Sequence, residues 1–127
     1  DLVTYALEHA WGGEIFVPKI PSYRILDLAE AIAPSAKIEI VGIRPGEKLH
    51  EEMITITDSL STVELSKYFV ITPSMPLWDV KEFAAAFGGR LLEYGFAYNS
   101  GTNPEFLDVE QLREQIRIHV DAGFQPS

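Results

Sequence analysis

Arg44 and Glu47 stand either side of Pro45-Gly46, a spacing that brings a guanidinium and a carboxylate to the two ends of one turn. Proline sets φ at the second turn position, and glycine takes the positive φ that a type II turn needs at the third. The end residues then have Cα atoms within about 7 Å of each other. A planar guanidinium can grip a diphosphate bidentately, and a neighbouring carboxylate can accept hydrogen bonds from a sugar diol. A solvated, charged hairpin tip is the commoner use of a Pro-Gly turn, so on spacing alone both readings stand.

Other residues with chemical potential are more scattered. Lys19 sits between Pro18 and Pro21 and reads as a solvated lysine or a ligand contact. Tyr98 to Pro104 is dense in turn formers and hydrogen-bonding side chains, so Asn99, Thr102 and Asn103 are candidates for a ligand or for loop structure alone. In His50-Glu51-Glu52, alternation along a strand puts His50 and Glu52 on one side and Glu51 on the other, too few convergent ligands for a metal. No strand leads through a Gly-rich loop into a helix, as a dinucleotide site needs, because Gly12-Gly13 and Gly88-Gly89 follow helical patterns. None of the five tyrosines has a lysine four residues on, and no serine carries a nucleophile signature. The chain reads as binding machinery without catalytic residues of its own.

The elements that must position these residues follow from periodicity. Leu2, Val3, Ala6, Leu7 and Ala10 predict a helix ended by Gly12-Gly13, and Ile15-Phe16-Val17 a buried strand stopped by Pro18. Ile25, Leu28, Ala29, Ile32 and Ala33 predict a helix with Ser22 as cap and Pro34 as stop. Lys37 to Val41 alternates like a half-buried strand leading into the turn, and Ile54 to Thr57 like a strand leaving it. Asp58 to Ser66 reads as a polar connection and Tyr68 to Thr72 as a strand. Asp79 with Glu82 predicts a capped helix ending at Gly88-Gly89. Arg90 to Tyr98 reads equally as strand or ordered loop. Asp108 caps a last helix with Val109, Leu112, Ile116 and Val120 on one face. The expectation is an α/β fold with residues 1–127 forming a single domain.

Composition sets outer bounds. With 46% hydrophobic and 23% charged residues among 127, the chain can bury a core. A net charge of -9 argues against nucleic acid or an anionic membrane as partner, while a small anion gathered by local cations remains open. Apolar runs fall short of a membrane span, and the absence of cysteine suits a cytoplasmic protein. The chain begins at Asp1 with a helical pattern already under way, which reads as a piece of a longer polypeptide.

Three stretches in order, Gly13 to Ser22, Gly42 to Ile54 and Tyr98 to Pro104, resemble the C-terminal part of the inverting UDP-N-acetylglucosamine 4,6-dehydratases, which are extended short-chain dehydrogenase/reductases. The resemblance implies that a tightly held NADP oxidises the sugar at C4, water leaves across C5 and C6, and hydride returns at C6 with inversion at C5. It also implies a place in pseudaminic acid and related surface-glycan biosynthesis. By the same resemblance, the catalytic and NADP-binding residues lie in an N-terminal Rossmann half that this chain lacks. Arg44 would hold the diphosphate and Glu47 the ribose hydroxyls, with Lys19 toward the uridine and Asn99 to Asn103 secondary. His50 favours the inverting over the retaining, membrane-anchored enzymes, and the retaining class stays open. The implied partners are a UDP-sugar, the missing half and further copies of a homo-oligomeric parent, and the chain alone is expected to be inactive. A stand-alone, non-enzymatic interaction module is the competing reading.

Overall fold

Ile15-Phe16-Val17 and Tyr68-Phe69-Val70-Ile71 are β-branched and aromatic runs suited to a pleated, half-buried surface. In the computed structural model of the chain, which describes residues 1–127, they pair antiparallel with Val17 opposite Phe69. The elements in chain order are α1 (Leu2–His9), β1 (Ile15–Pro18), β2 (Ser22–Tyr23), α2 (Ile25–Ile32) and β3 (Glu52–Ile54). A 3-10 turn at Asp58–Ser61 follows, then β4 (Thr62–Glu64), β5 (Tyr68–Ile71), α3 (Val80–Ala86), β6 (Arg90–Leu91), β7 (Tyr98–Asn99), β8 (Phe106–Leu107) and α4 (Val109–His119). They fall into two compact units, Asp1–Ile20 with Glu52–Asn99, and Pro21–Glu51 with Ser100–Ser127. The mixed α/β character is as expected.

The first unit is built on an antiparallel sheet in the order β1-β5-β4-β6, with β3 and β7 forming a separate ladder. Two clusters make its core. One joins Val17, Ile54, Phe69, Leu92 and Tyr98, and the other joins Val63, Leu65, Val70, Phe83 and Ala84. The buried Tyr98 hydroxyl is satisfied on both sides, donating to the Ile20 carbonyl at 2.7 Å and accepting from the Ile20 N–H at 2.8 Å. Helix α3 starts where Asp79 accepts from the N–H groups of Lys81 and Glu82, and it closes at Gly88, whose φ of 61° permits the left-handed cap.

The second unit packs α2 against α4, with β2 and β8 in parallel register, Ser22 opposite Phe106. Arg113 links the helices through orphan carbonyls at the end of α2, donating from Nε to Ala31 at 3.2 Å and from Nη2 to Glu30 at 3.3 Å. Helix α4 opens with a full capping box between Asp108 and Gln111.

Several expectations are corrected. Helix α1 stops at His9 with Ala10 extended, and Gly12-Gly13 form the following bend, where the Glu14 carboxylate accepts from the N–H groups of Trp11 and Gly12. Strand β1 is not buried throughout: it lies at an edge of the sheet, with Val17 buried, Phe16 and Pro18 half-buried and Ile15 exposed. Ser22 does not cap α2, which begins after Arg24; it lies in β2 instead. Lys37 to Val41 forms no strand, since no neighbouring strand satisfies its backbone and Ile40 and Val41 remain 83% and 81% exposed. The strand after the turn spans Glu52–Ile54 and pairs with β7, so the turn does not close a hairpin. The polar stretch from Asp58 holds a 3-10 turn and the central strand β4, with Thr62 buried because its hydroxyl donates to the Asp58 carbonyl. Val120 is exposed beyond the end of α4.

Candidate functional site

The turn at Arg44 to Glu47 forms as its sequence requires. Gly46 has φ 88°, and the Glu47 N–H donates to the Arg44 carbonyl at 3.1 Å. Glu47 closes the loop a second time, its Oε2 accepting from the Arg44 N–H at 2.8 Å while Oε1 lies 3.7 Å from Arg44 Nε. The Arg44 side chain is 81% exposed, so its donors are available to an anion at little desolvation cost to the free protein.

Glu47 also lines a groove of about 970 Å³, within the size range of ligand pockets. Its walls are apolar at Ile25, Leu26, Ile40, Val41 and Ile43, with Lys48 and Glu51 adding polar points. The lining thus combines apolar side chains with the carboxylates of Glu47 and Glu51 and the ammonium of Lys48, and Arg44 follows the lining residue Ile43 in the chain. Periodicity assigned Ile25 to a helix face, and nothing in the sequence marked Leu26 or Lys48 as groove residues. Ile40 and Val41, expected in a strand, stand in the groove wall instead.

The remaining candidates are employed in the fold. Lys19 Nζ donates to Glu64 Oε1 at 2.8 Å and lies 4.7 Å from the centre of the Phe69 ring. That hydrogen bond is the main reason the Glu64 carboxyl titrates below its ordinary 4.5, aided by the charges of Lys19 and Arg90 and opposed by burial. Arg90 Nη2 lies 2.5 Å from Glu64 Oε2 and lowers the carboxyl further, through its charge first and hydrogen bonding second. Asn103 is buried, donating to Ser22 Oγ at 3.0 Å and accepting from the Glu105 N–H at 3.1 Å. Asn99 pairs with Glu52 in the β3–β7 ladder, and Thr102 is exposed in the turn that follows.

His50, Glu51 and Glu52 do not converge as metal ligands. No group of three such side chains forms in this structure. No strand of this chain runs through a glycine loop into a helix. No helix is long and apolar enough to cross a membrane.

Residues 1–73 match the model of a family described as polysaccharide biosynthesis protein. The chain belongs to this family. It is 45% identical over 113 residues to the inverting UDP-N-acetylglucosamine 4,6-dehydratase of Campylobacter jejuni strain 81-176, an alignment covering 86% of this chain and 34% of that enzyme. The enzyme of the same name from Campylobacter jejuni strain NCTC 11168 is 46% identical over the same coverage. Of solved structures, Pen from Bacillus thuringiensis superimposes with a TM-score of 0.66 at 31% identity, over 89% of this chain and 33% of Pen. The chain therefore spans about a third of the length of the relatives it matches. These matches bear out the resemblance read from Gly13 to Ser22, Gly42 to Ile54 and Tyr98 to Pro104.

Proposed function

We propose that this chain is the C-terminal UDP-sugar-binding part of an NADP-dependent UDP-N-acetylglucosamine 4,6-dehydratase that inverts C5 in surface-glycan biosynthesis. The observation that carries the reading is the preformed turn, with an exposed guanidinium beside a carboxylate that lines an apolar-walled groove. Arg44 takes the diphosphate, and Glu47 exchanges its 3.7 Å contact with Arg44 Nε for the ribose hydroxyls while keeping its bond to the Arg44 N–H. The apolar wall receives the base. Lys19 would reach the uridine side only by giving up Glu64, and Asn99, Thr102 and Asn103 shape their own turn before any ligand, so all four rank below the turn.

NADP supplies the hydride chemistry from the Rossmann half of the parent, and no step of that chemistry falls to residues of this chain. The parent works in the cytoplasm as a homo-oligomer, and this chain alone has no dehydratase activity. Calorimetric titration of the full-length protein with UDP tests the binding role. Arg44→Ala weakens UDP by roughly tenfold or more, since a charge-assisted contact contributes about 1.5 to 3 kcal/mol, whereas Lys37→Ala changes it little. Equal effects of the two substitutions would refute the assignment.

A further inference from the structure

The segment bearing the turn is loosely held. Between residues 37 and 49 the backbone hydrogen bonds are those inside the turn itself, and the stretch is exposed throughout. What holds its far end is a small clamp at His50 and Glu51. The Ser100 N–H donates to the Glu51 carbonyl at 2.8 Å, and the Glu51 N–H donates to Ser100 Oγ at 3.0 Å. Beside this pair the His50 ring lies flat against Gly101. A Cβ on Gly101 would stand 2.8 Å from His50 Cγ and 2.9 Å from both Cδ2 and Nδ1. Gly101 does not have the positive φ that calls for glycine elsewhere in the chain, so here it is the space under the ring that excludes a side chain.

We infer that His50 is a positioning residue: its ring, seated on Gly101, docks the end of the turn segment onto the Ser100 to Asn103 turn and so sets where Arg44 and Glu47 present their groups. The inference rests on the UDP-sugar reading above, but the clamp has a readout of its own. His50 makes none of the turn's hydrogen bonds and does not itself line the groove, so it acts through the backbone it shares with Leu49 and Glu51. The ring is exposed and free to swing away, so adding a methyl group at Gly101 unseats it without disrupting a core.

The test uses the full-length protein with His50→Ala, Gly101→Ala, the double variant and His50→Phe. Two measurements are made on each: amide hydrogen exchange at Glu51 and Ser100, and UDP affinity by calorimetry. Either single alanine substitution speeds exchange at both amides and weakens UDP roughly three- to tenfold, the range expected for coupling between contacting residues. The double variant is no worse than either single one, because both remove the same contact. His50→Phe keeps a flat ring on Gly101 and stays near the wild type in both measurements.

Unchanged exchange in His50→Ala and Gly101→Ala overturns the clamp. Independent, additive losses in the double variant overturn it as well. Loss in His50→Phe equal to that in His50→Ala would assign the effect to imidazole chemistry and overturn positioning by packing. If exchange responds as expected while Arg44→Ala leaves UDP affinity untouched, the clamp stands and the UDP reading fails.

Discussion

Replacing Lys19 by Met separates a structural lysine from a ligand-binding one. Met keeps most of the apolar stem and removes the ammonium that donates to Glu64 at 2.8 Å and sits 4.7 Å from the Phe69 ring centre. A charge-assisted hydrogen bond contributes about 1.5 to 3 kcal/mol when well shielded. Both side chains are partly open, 29% exposed for Lys19 and 23% for Glu64, which places this bond toward the lower end. The ring contact adds about 0.5 kcal/mol, for a loss of about 2 kcal/mol altogether. At roughly 3–6 °C per kcal/mol for a chain of this size, thermal unfolding followed by circular dichroism shifts down by about 6–12 °C at pH 7.

The same substitution carries a pH signature. Glu64 has its pKa held below the ordinary 4.5 by the Lys19 hydrogen bond, so the folded state resists protonation more than the unfolded one. The stabilisation is therefore complete above pH 4.5 and disappears as pH falls through the lowered folded-state pKa. The gap between wild type and Lys19→Met closes over that acid range. An unchanged unfolding midpoint in Lys19→Met, together with a loss of UDP affinity, would show that Lys19 serves the ligand and that the Glu64 bond contributes nothing to stability.

Three further outcomes are expected. Gly89→Ala places a Cβ 2.8 Å from the Glu64 carbonyl and 2.9 Å from Val63 Cγ1, and because β4 lies inside the sheet the backbone cannot retreat; urea unfolding should show a loss of about 1 to 3 kcal/mol. Asp79→Ala removes the acceptor for two N–H groups of α3 and costs about 1 kcal/mol by the same assay, while Asp79→Asn retains most of it. Arg44→Ala leaves the unfolding midpoint almost unchanged, because its ion pair with Glu47 is long and exposed, even as it weakens UDP.

Local chemistry in the sequence carries much of this molecule. The Pro45-Gly46 turn, the Asp79 and Asp108 caps and the strands at Ile15 and Tyr68 all form where residue type and spacing place them, because each is decided within a few residues. What the sequence conceals depends on distant partners. Thr62-Val63-Glu64 reads as polar connection, yet it becomes the strand between β5 and β6 because Asp58 satisfies the Thr62 hydroxyl and Lys19 the Glu64 carboxylate. Lys37 to Val41 alternates well but finds no neighbouring strand, so its pattern yields open groove wall instead. The role of Gly101 is also invisible in sequence, since the ring that excludes its side chain comes from His50, far away along the chain.

Amide hydrogen exchange across Gly42 to Met53 in the full-length protein, with and without saturating UDP, tests the central claim most directly. The part up to Leu49 is exposed and held by the hydrogen bonds of its turn, whereas Glu51 and Glu52 are fixed by the Ser100 pair and the β3–β7 ladder, so the amides from Gly42 to Leu49 exchange readily when free. UDP bound between Arg44 and Glu47 should slow exchange at these amides in the wild type, and the protection should vanish in Arg44→Ala. UDP binding that leaves Gly42 to Met53 unprotected would contradict the account and place the nucleotide elsewhere.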